Sequence, residues 1–170
     1  DGSASTDADG TIATYAWVKI SGPAAGAISN PASVTTAVTG LVQGTYFFEL
    51  TVTDDDGATD KDTMQVTVNP APNVPPVANA GVDQSITLPT NNTTLDGSAS
   101  TDPDGTIATY AWNKISGPVA GTITSPAFVT TSVNGLVQGT YLFELTITDN
   151  SSAIDKDTMH VIVNPAPNVP

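Results

Sequence analysis

The 170-residue chain has no cysteine and no arginine, and four lysines are its only permanently basic side chains. Without cysteine there is no disulfide framework, no thiol nucleophile and no zinc knuckle, a composition compatible with a bacterial surface protein. Fifteen aspartates with Glu49 and Glu144 outweigh those lysines and set the formal charge at -13. That balance excludes nucleic acid and anionic membranes as partners. It leaves divalent cations, or solubility through like charge, as roles for the carboxylates. No apolar run approaches membrane-spanning length and no charged-then-apolar leader opens the segment, so membrane insertion is not expected and a secretion signal would lie outside it. The 3.6-residue period of amphipathic helices is missing too.

What the chain does have is itself, twice. Asp1–Pro75 aligns with Asp96–Pro170 at one constant offset without a gap, with roughly three-quarters of positions identical. Such uniform duplication favours architecture over chemistry, because a spacer or fibre gains reach from each copy whereas an active site is needed once. The second copy is preceded by Pro76–Leu95, for which the first has no counterpart. Either Asp1 is an arbitrary cut in a longer array, or the first unit takes its opening strand from a neighbouring molecule, a route to head-to-tail fibres.

Period-two alternation in Thr- and Val-rich stretches, bounded by Gly, Pro and Asn, predicts an all-β chain. In Gly139–Asp149, Tyr141, Phe143, Leu145 and Ile147 face one way, as do Tyr46, Phe48, Leu50 and Val52 in the first copy. A last strand buries Met159, Val161 and Val163, matched by Met64, Val66 and Val68, and turns Thr158, His160 and Ile162 outward. Shorter strands are expected at Gln84–Leu88, Thr93–Leu95, Ile107–Ile115, near Thr122–Thr124 and at Phe128–Val133. About seven strands per full unit fit a two-sheet immunoglobulin-like sandwich anchored by one buried Trp, here Trp17 and Trp112. Tyr46 and Tyr141, at the start of the long strand, resemble tyrosine corners. The proline-dense Asn69–Pro76, repeated at Asn164–Pro170, reads as a semi-rigid linker. The expected domains are 1–70, lacking its first strand, and a complete 80–165, with linkers at 71–79 and 166–170.

Three stretches carry a family resemblance: Ala80–Pro89, Leu95–Gly105 with Tyr110-Ala-Trp112, and Gly-Thr-Tyr-Leu-Phe-Glu-Leu-Thr-Ile-Thr-Asp at Gly139–Asp149. Together they resemble the PKD family of immunoglobulin-like repeats across essentially the whole chain. Where many members follow the core tryptophan with Asp-Phe-Gly-Asp-Gly, Trp17 and Trp112 lead by one residue into Lys-Ile-Ser-Gly-Pro, similar to a subgroup of multi-repeat bacterial surface proteins. The resemblance implies a non-catalytic extracellular or cell-surface module for spacing, adhesion or polysaccharide contact.

Candidate sites are few. Asp7-Ala-Asp9-Gly10 and Asp102-Pro-Asp104-Gly105 present alternate carboxylates around a glycine, oxygens that suit calcium. The same residues are ordinary turn formers. The denser Asp54-Asp55-Asp56-Gly57 becomes Asp149-Asn-Ser-Ser152 in the second copy, so a solvated hairpin is expected there. His160 is the only histidine and its counterpart is Gln65, which argues against catalysis repeated in both units. With no Ser/His/Asp set available twice and no phosphate-cradling loop, no enzyme is expected. Tyr15 and Tyr110 are candidate sugar platforms, read first as half-buried sheet residues. Thr63 and Thr158, within Asp-Thr-Met, resemble acceptors of a bacterial O-glycosylation system, against the plainer reading of outward strand threonines. Asn91, Asn92 and Asn150 match the eukaryotic N-glycan sequon, a pattern that also arises by chance and that a bacterial origin would leave unused. The function expected is a structural repeat of a secreted bacterial stalk, adhesin or filament whose partners are identical domains or subunits. The alternative is an accessory polysaccharide-binding module or spacer of a secreted enzyme.

Overall fold

The computed structural model describes residues 1–168; Val169 and Pro170, read above as part of a further linker, lie outside the described residues. The chain divides into unit 1, Asp1–Ala71, and unit 2, from Pro72 onward. No helix occurs among the described residues.

Unit 1 contains β1 (Ile12–Ser21), β2 (Ala27–Ile28), β3 (Val38–Thr39), β4 (Gly44–Asp54) and β5 (Thr59–Val68). Its sheets run β1-β4-β5 and β2-β3. Unit 2 contains β6 (Gln84–Thr87), β7 (Thr93–Asp96), β8 (Ile107–Ser116), β9 (Thr122–Ile123), β10 (Thr130–Asn134), β11 (Gly139–Asp149) and β12 (Ile154–Asn164). Its sheets run β6-β12-β11-β8 and β7-β10-β9. All pairs are antiparallel except β6 with β12, where Gln84–Thr87 runs parallel to Val161–Asn164.

The long hairpins form because β4 and β11, and the second halves of β5 and β12, carry apolar residues at alternate positions, so that one face can pack on a core. In unit 2, Tyr141, Phe143, Leu145 and Ile147 of β11 and Met159, Val161 and Val163 of β12 are buried against Trp112, Leu95 and Val133. Unit 1 closes a smaller core around Trp17, Tyr46, Phe48 and Leu50. Both tryptophans are therefore core residues. The tyrosine corners form as expected: the Tyr46 hydroxyl bonds the backbone N–H and C=O of Val42 at 2.9 Å each, and Tyr141 does the same at Val137.

Several strand limits differ from expectation: β7, β8 and β10 each run one residue further, to Asp96, Ser116 and Asn134. β10 begins at Thr130, and Phe128, read as its first residue, sits in a turn closed by its own N–H to Ser125 C=O and is exposed. Pro126, within that same turn, accepts the Trp112 backbone N–H through its carbonyl at 2.8 Å. β6 ends at Thr87, one residue short of the expected Leu88.

The β11–β12 turn also stores strain. Ser152 has φ of +74°, whereas its counterpart Gly57, at +87°, meets no Cβ penalty. Ser152→Gly is therefore expected to stabilise unit 2 by about 1 kcal/mol, read as a higher urea midpoint with an unchanged slope.

Candidate functional site

The acidic loops turn out to be joints between strands. In unit 1, Asp55 Oδ1 accepts the Thr11 N–H at 2.7 Å, and in unit 2 Asn150 Oδ1 accepts the Thr106 N–H at 2.8 Å. Carboxylate and amide serve alike because the joint needs an acceptor oxygen and no charge, which explains why the second copy tolerates the loss of acidity. The Thr11 N–H, foremost, holds the Asp55 carboxyl below the usual carboxylate range. Asp7 and Asp102 close Asx turns onto the N–H groups of Asp9 and Asp104, and Asp102 also accepts from Gly105 at 3.1 Å. A side chain at Gly105 would run into Asn150 and the Asp102 carboxylate, so the glycine is a packing requirement. No group of three or more His, Cys, Asp or Glu side chains converges to hold a metal among the described residues.

The second acidic set in unit 2 holds extended polypeptide. The Asn73 amide donates to Asp149 Oδ2 at 2.8 Å, and the Val74 N–H reaches the Asp104 carboxylate at 3.1 Å. Val77 and Thr101 exchange backbone hydrogen bonds, then Ala78 N–H donates to Asp155 and Ala80 N–H to Asp157, each at 2.8 Å. Alternate carboxylates on β12 thus match alternate N–H groups of a strand laid across them. Asp149 is buried, yet the Asn73 amide, foremost, keeps its carboxyl below the ordinary range. A lowered folded-state value means that this tie stabilises the fold above the ordinary carboxylate range and is lost as pH falls through the folded one. Asn73–Asn79, read from sequence as linker, is in this way part of unit 2.

His160 sits on the outer face of β12, where its N–H donates to Asp83 at 2.8 Å and its Nδ1 lies 3.6 Å from the same carboxylate. Thr63 and Thr158 are both exposed outer-face strand residues. Tyr15 and Tyr110 are half-buried and pack against the two cores.

Sequence reasoning passed over Lys19 and Lys114. The Lys114 ammonium donates to three successive carbonyls, Pro118, Val119 and Ala120, at 2.8–2.9 Å, and lies 5.9 Å from the Tyr141 ring centre. Lys19 repeats this at Pro23, Ala24 and Ala25, 6.0 Å from Tyr46. Lys61 and Lys156 pair with Glu49 and Glu144 at 2.7 and 2.8 Å. All four lysines and both glutamates thus have structural work. The available signal was the Lys-Ile-Ser-Gly-Pro that replaces the commoner family pattern.

Comparisons with known proteins agree with this architecture. The family model described as "K319L-like, PKD domain" matches residues 1–68 and again 80–163. The human protein "Dyslexia-associated protein KIAA0319" is 42% identical over 170 residues, 98% of this chain and 16% of the relative. The mouse "Dyslexia-associated protein KIAA0319-like protein" is 40% identical over 173 residues, 100% of this chain and 16% of the relative. The chain thus spans about a sixth of the length of these curated relatives. They are mammalian, where the sequence pattern had suggested bacterial surface repeats. Among solved structures, "Solution structure of the PKD domain from KIAA 1837 protein" superposes with a TM-score of 0.52 at 34% identity, covering 60% of this chain and 98% of that one. With two tandem sandwiches, two tyrosine corners and a family match over both units, the chain belongs to the K319L-like PKD domain family.

Proposed function

We propose that this chain is a non-catalytic stretch of an extracellular, cell-surface array, in which each PKD unit holds its neighbours of the same kind at a set spacing. The observation that carries this reading is the seating of Asn73–Ala80 on unit 2, which leaves only Asn69-Pro-Ala-Pro72 between the two folded bodies. Proline at that density favours extended geometry over a random coil. A stalk or filament is the specific form best supported, since near-identical copies gain length from repetition. Trp17 and Trp112, the residue type that stacks best on sugars, are 7% and 1% exposed, which favours a spacer over a polysaccharide-binding module.

The joint is testable because the chain has no cysteine to remove. Spin labels at Thr14→Cys and Thr109→Cys, both exposed strand positions, report one distance across the linker. A narrow distance distribution is expected, broadening when Asn69–Pro72 is replaced by Gly-Ser-Gly-Ser. A parent distribution as broad as that of the Gly-Ser variant overturns the spacer reading.

A further inference from the structure

An asparagine is open to attack at Cγ by the backbone nitrogen of the next residue, because the ring that closes is small and the two groups are already held together. The attack needs a nitrogen that no side chain shields, an N–H free of the fold's hydrogen bonds, and an amide at the surface from which ammonia can leave. Asn134–Gly135, the only Asn–Gly pair in the chain, has all of these. Asn134 ends β10 and Gly135 opens the connection to β11, and both are exposed. Gly135 has φ of +71°, a region that glycine enters without penalty. The turn thus demands the one residue that leaves its nitrogen unshielded, and a Cβ there would meet nothing within 4 Å. The Gly135 N–H has no acceptor among the described residues. Asn134 Nδ2 donates to the Thr124 hydroxyl at 3.0 Å in an exposed bond, so the leaving nitrogen already faces solvent.

The pairs that rival it in sequence are tied down. Asn150 precedes Ser151, whose N–H donates to Asp149 at 2.8 Å, while Asn150 Oδ1 accepts the Thr106 N–H. Asn79 precedes Ala80, whose N–H is held by Asp157. At Asp96–Gly97 and Asp104–Gly105 the glycine N–H groups bond Val129 C=O and Asp102 Oδ1. Unit 1 supplies a control, since Thr39–Gly40 occupies the same place with Gly40 at φ +67° and threonine carries no amide to attack.

We infer that Asn134–Gly135 is a self-modification site, at which the chain converts its own asparagine to aspartate and isoaspartate and so loosens one corner of unit 2. The Gly135 nitrogen bonds to Asn134 Cγ as its proton passes to solvent, and the Cγ–Nδ2 bond breaks as Nδ2 takes up a proton and leaves as ammonia. Water then opens the cyclic imide. Opening at Cγ gives aspartate, and opening at the main-chain carbonyl gives isoaspartate, with the backbone rerouted through the former side chain. Either product puts a carboxylate where an amide had donated to Thr124, and adds to a formal charge already at -13. Isoaspartate also lengthens the backbone at the residue paired with Thr122. Two positions on, Leu136 is 2% exposed and its N–H bonds Asn91 C=O, so the added carbon strains both the ladder end and a core contact. The reaction depends on this turn alone and holds whether or not the chain is a spacer.

The test incubates the 170-residue chain in neutral buffer and follows it by proteolysis and mass spectrometry. The Asn134 peptide should exchange ammonia for water and split into two separable products of equal mass. Asn150, where two hydrogen bonds must first break, should react about tenfold more slowly or less. Asn134→Thr should abolish the change, and Thr39→Asn should create a second site in unit 1. Chains carrying isoaspartate should unfold at unit 2 about 5 °C lower, with the unit 1 transition fixed. Asn134 reacting no faster than Asn150 overturns the inference. So does aspartate as the sole product, which would mean direct hydrolysis without the ring. A rate in the folded chain far below that in guanidinium would show that the strand end protects Asn134, and an unchanged unit 2 transition in modified chains would show that its corner is not loosened; either overturns it as well.

Discussion

Lys114→Met is expected to lower the stability of unit 2 by about 3–5 kcal/mol, a large part of what holds a small domain together. The ammonium satisfies three successive carbonyls of the loop Pro118–Ala120, two of them in part-buried bonds, and sits over the Tyr141 ring. Hydrogen bonds to a charged group contribute about 1.5–3 kcal/mol each, and loss of the donor leaves acceptors that water reaches only in part. Arginine should rescue little. Its planar fork directs donors at one flat partner, whereas these carbonyls curve around a point charge. The surface pair Lys156–Glu144 gives the comparison: its lysine is 55% exposed and sits 2.8 Å from the carboxylate. Lys156→Met should therefore cost less than about 1 kcal/mol. Urea unfolding of the two variants measures the difference, and equal losses would mean that the lysine nest adds nothing beyond a surface charge. The same ranking should hold for Lys19→Met and Lys61→Met in unit 1.

That lysine marks the boundary of what could be read from the sequence. The β11–β12 hairpin, the core tryptophans and the tyrosine corners follow from alternation and spacing, because burial of one sheet face leaves a direct trace in residue order. The Lys114 nest leaves no such trace. It depends on the loop after β8 folding back over the strand that precedes it, and only the departure from the family pattern at Lys-Ile-Ser-Gly-Pro pointed to it. The acidic residues were legible as turn formers, but not as clamps. Asp155 and Asp157 fall by alternation on the inner face with Met159 and Val161, where carboxylates have no evident role until Ala78 and Ala80 are seen to donate to them. Phe128 was misplaced by the opposite error, since an apolar residue beside a strand was read as part of it although a turn holds it in solvent. Met64, expected on the inner face like Met159, is 43% exposed, and Val66 and Val68 are only half-buried.

Those bare residues allow one substitution to be made twice in near-identical sequence with different expected results. Met159→Ala removes a side chain with no exposed surface from the centre of the unit 2 core. It should cost about 2–5 kcal/mol, through lost transfer energy and the cavity left behind. Met64→Ala removes the same side chain from the same strand position, where 43% of the residue already meets solvent. No closed cavity can form there, so the expected cost is below about 1 kcal/mol. The flanking residues are the same except that Gln65 stands where His160 stands, with Asp-Thr before and Val two positions after, so strand propensity largely cancels and the difference reports burial. If the two substitutions cost the same, Met64 is covered in solution as Met159 is.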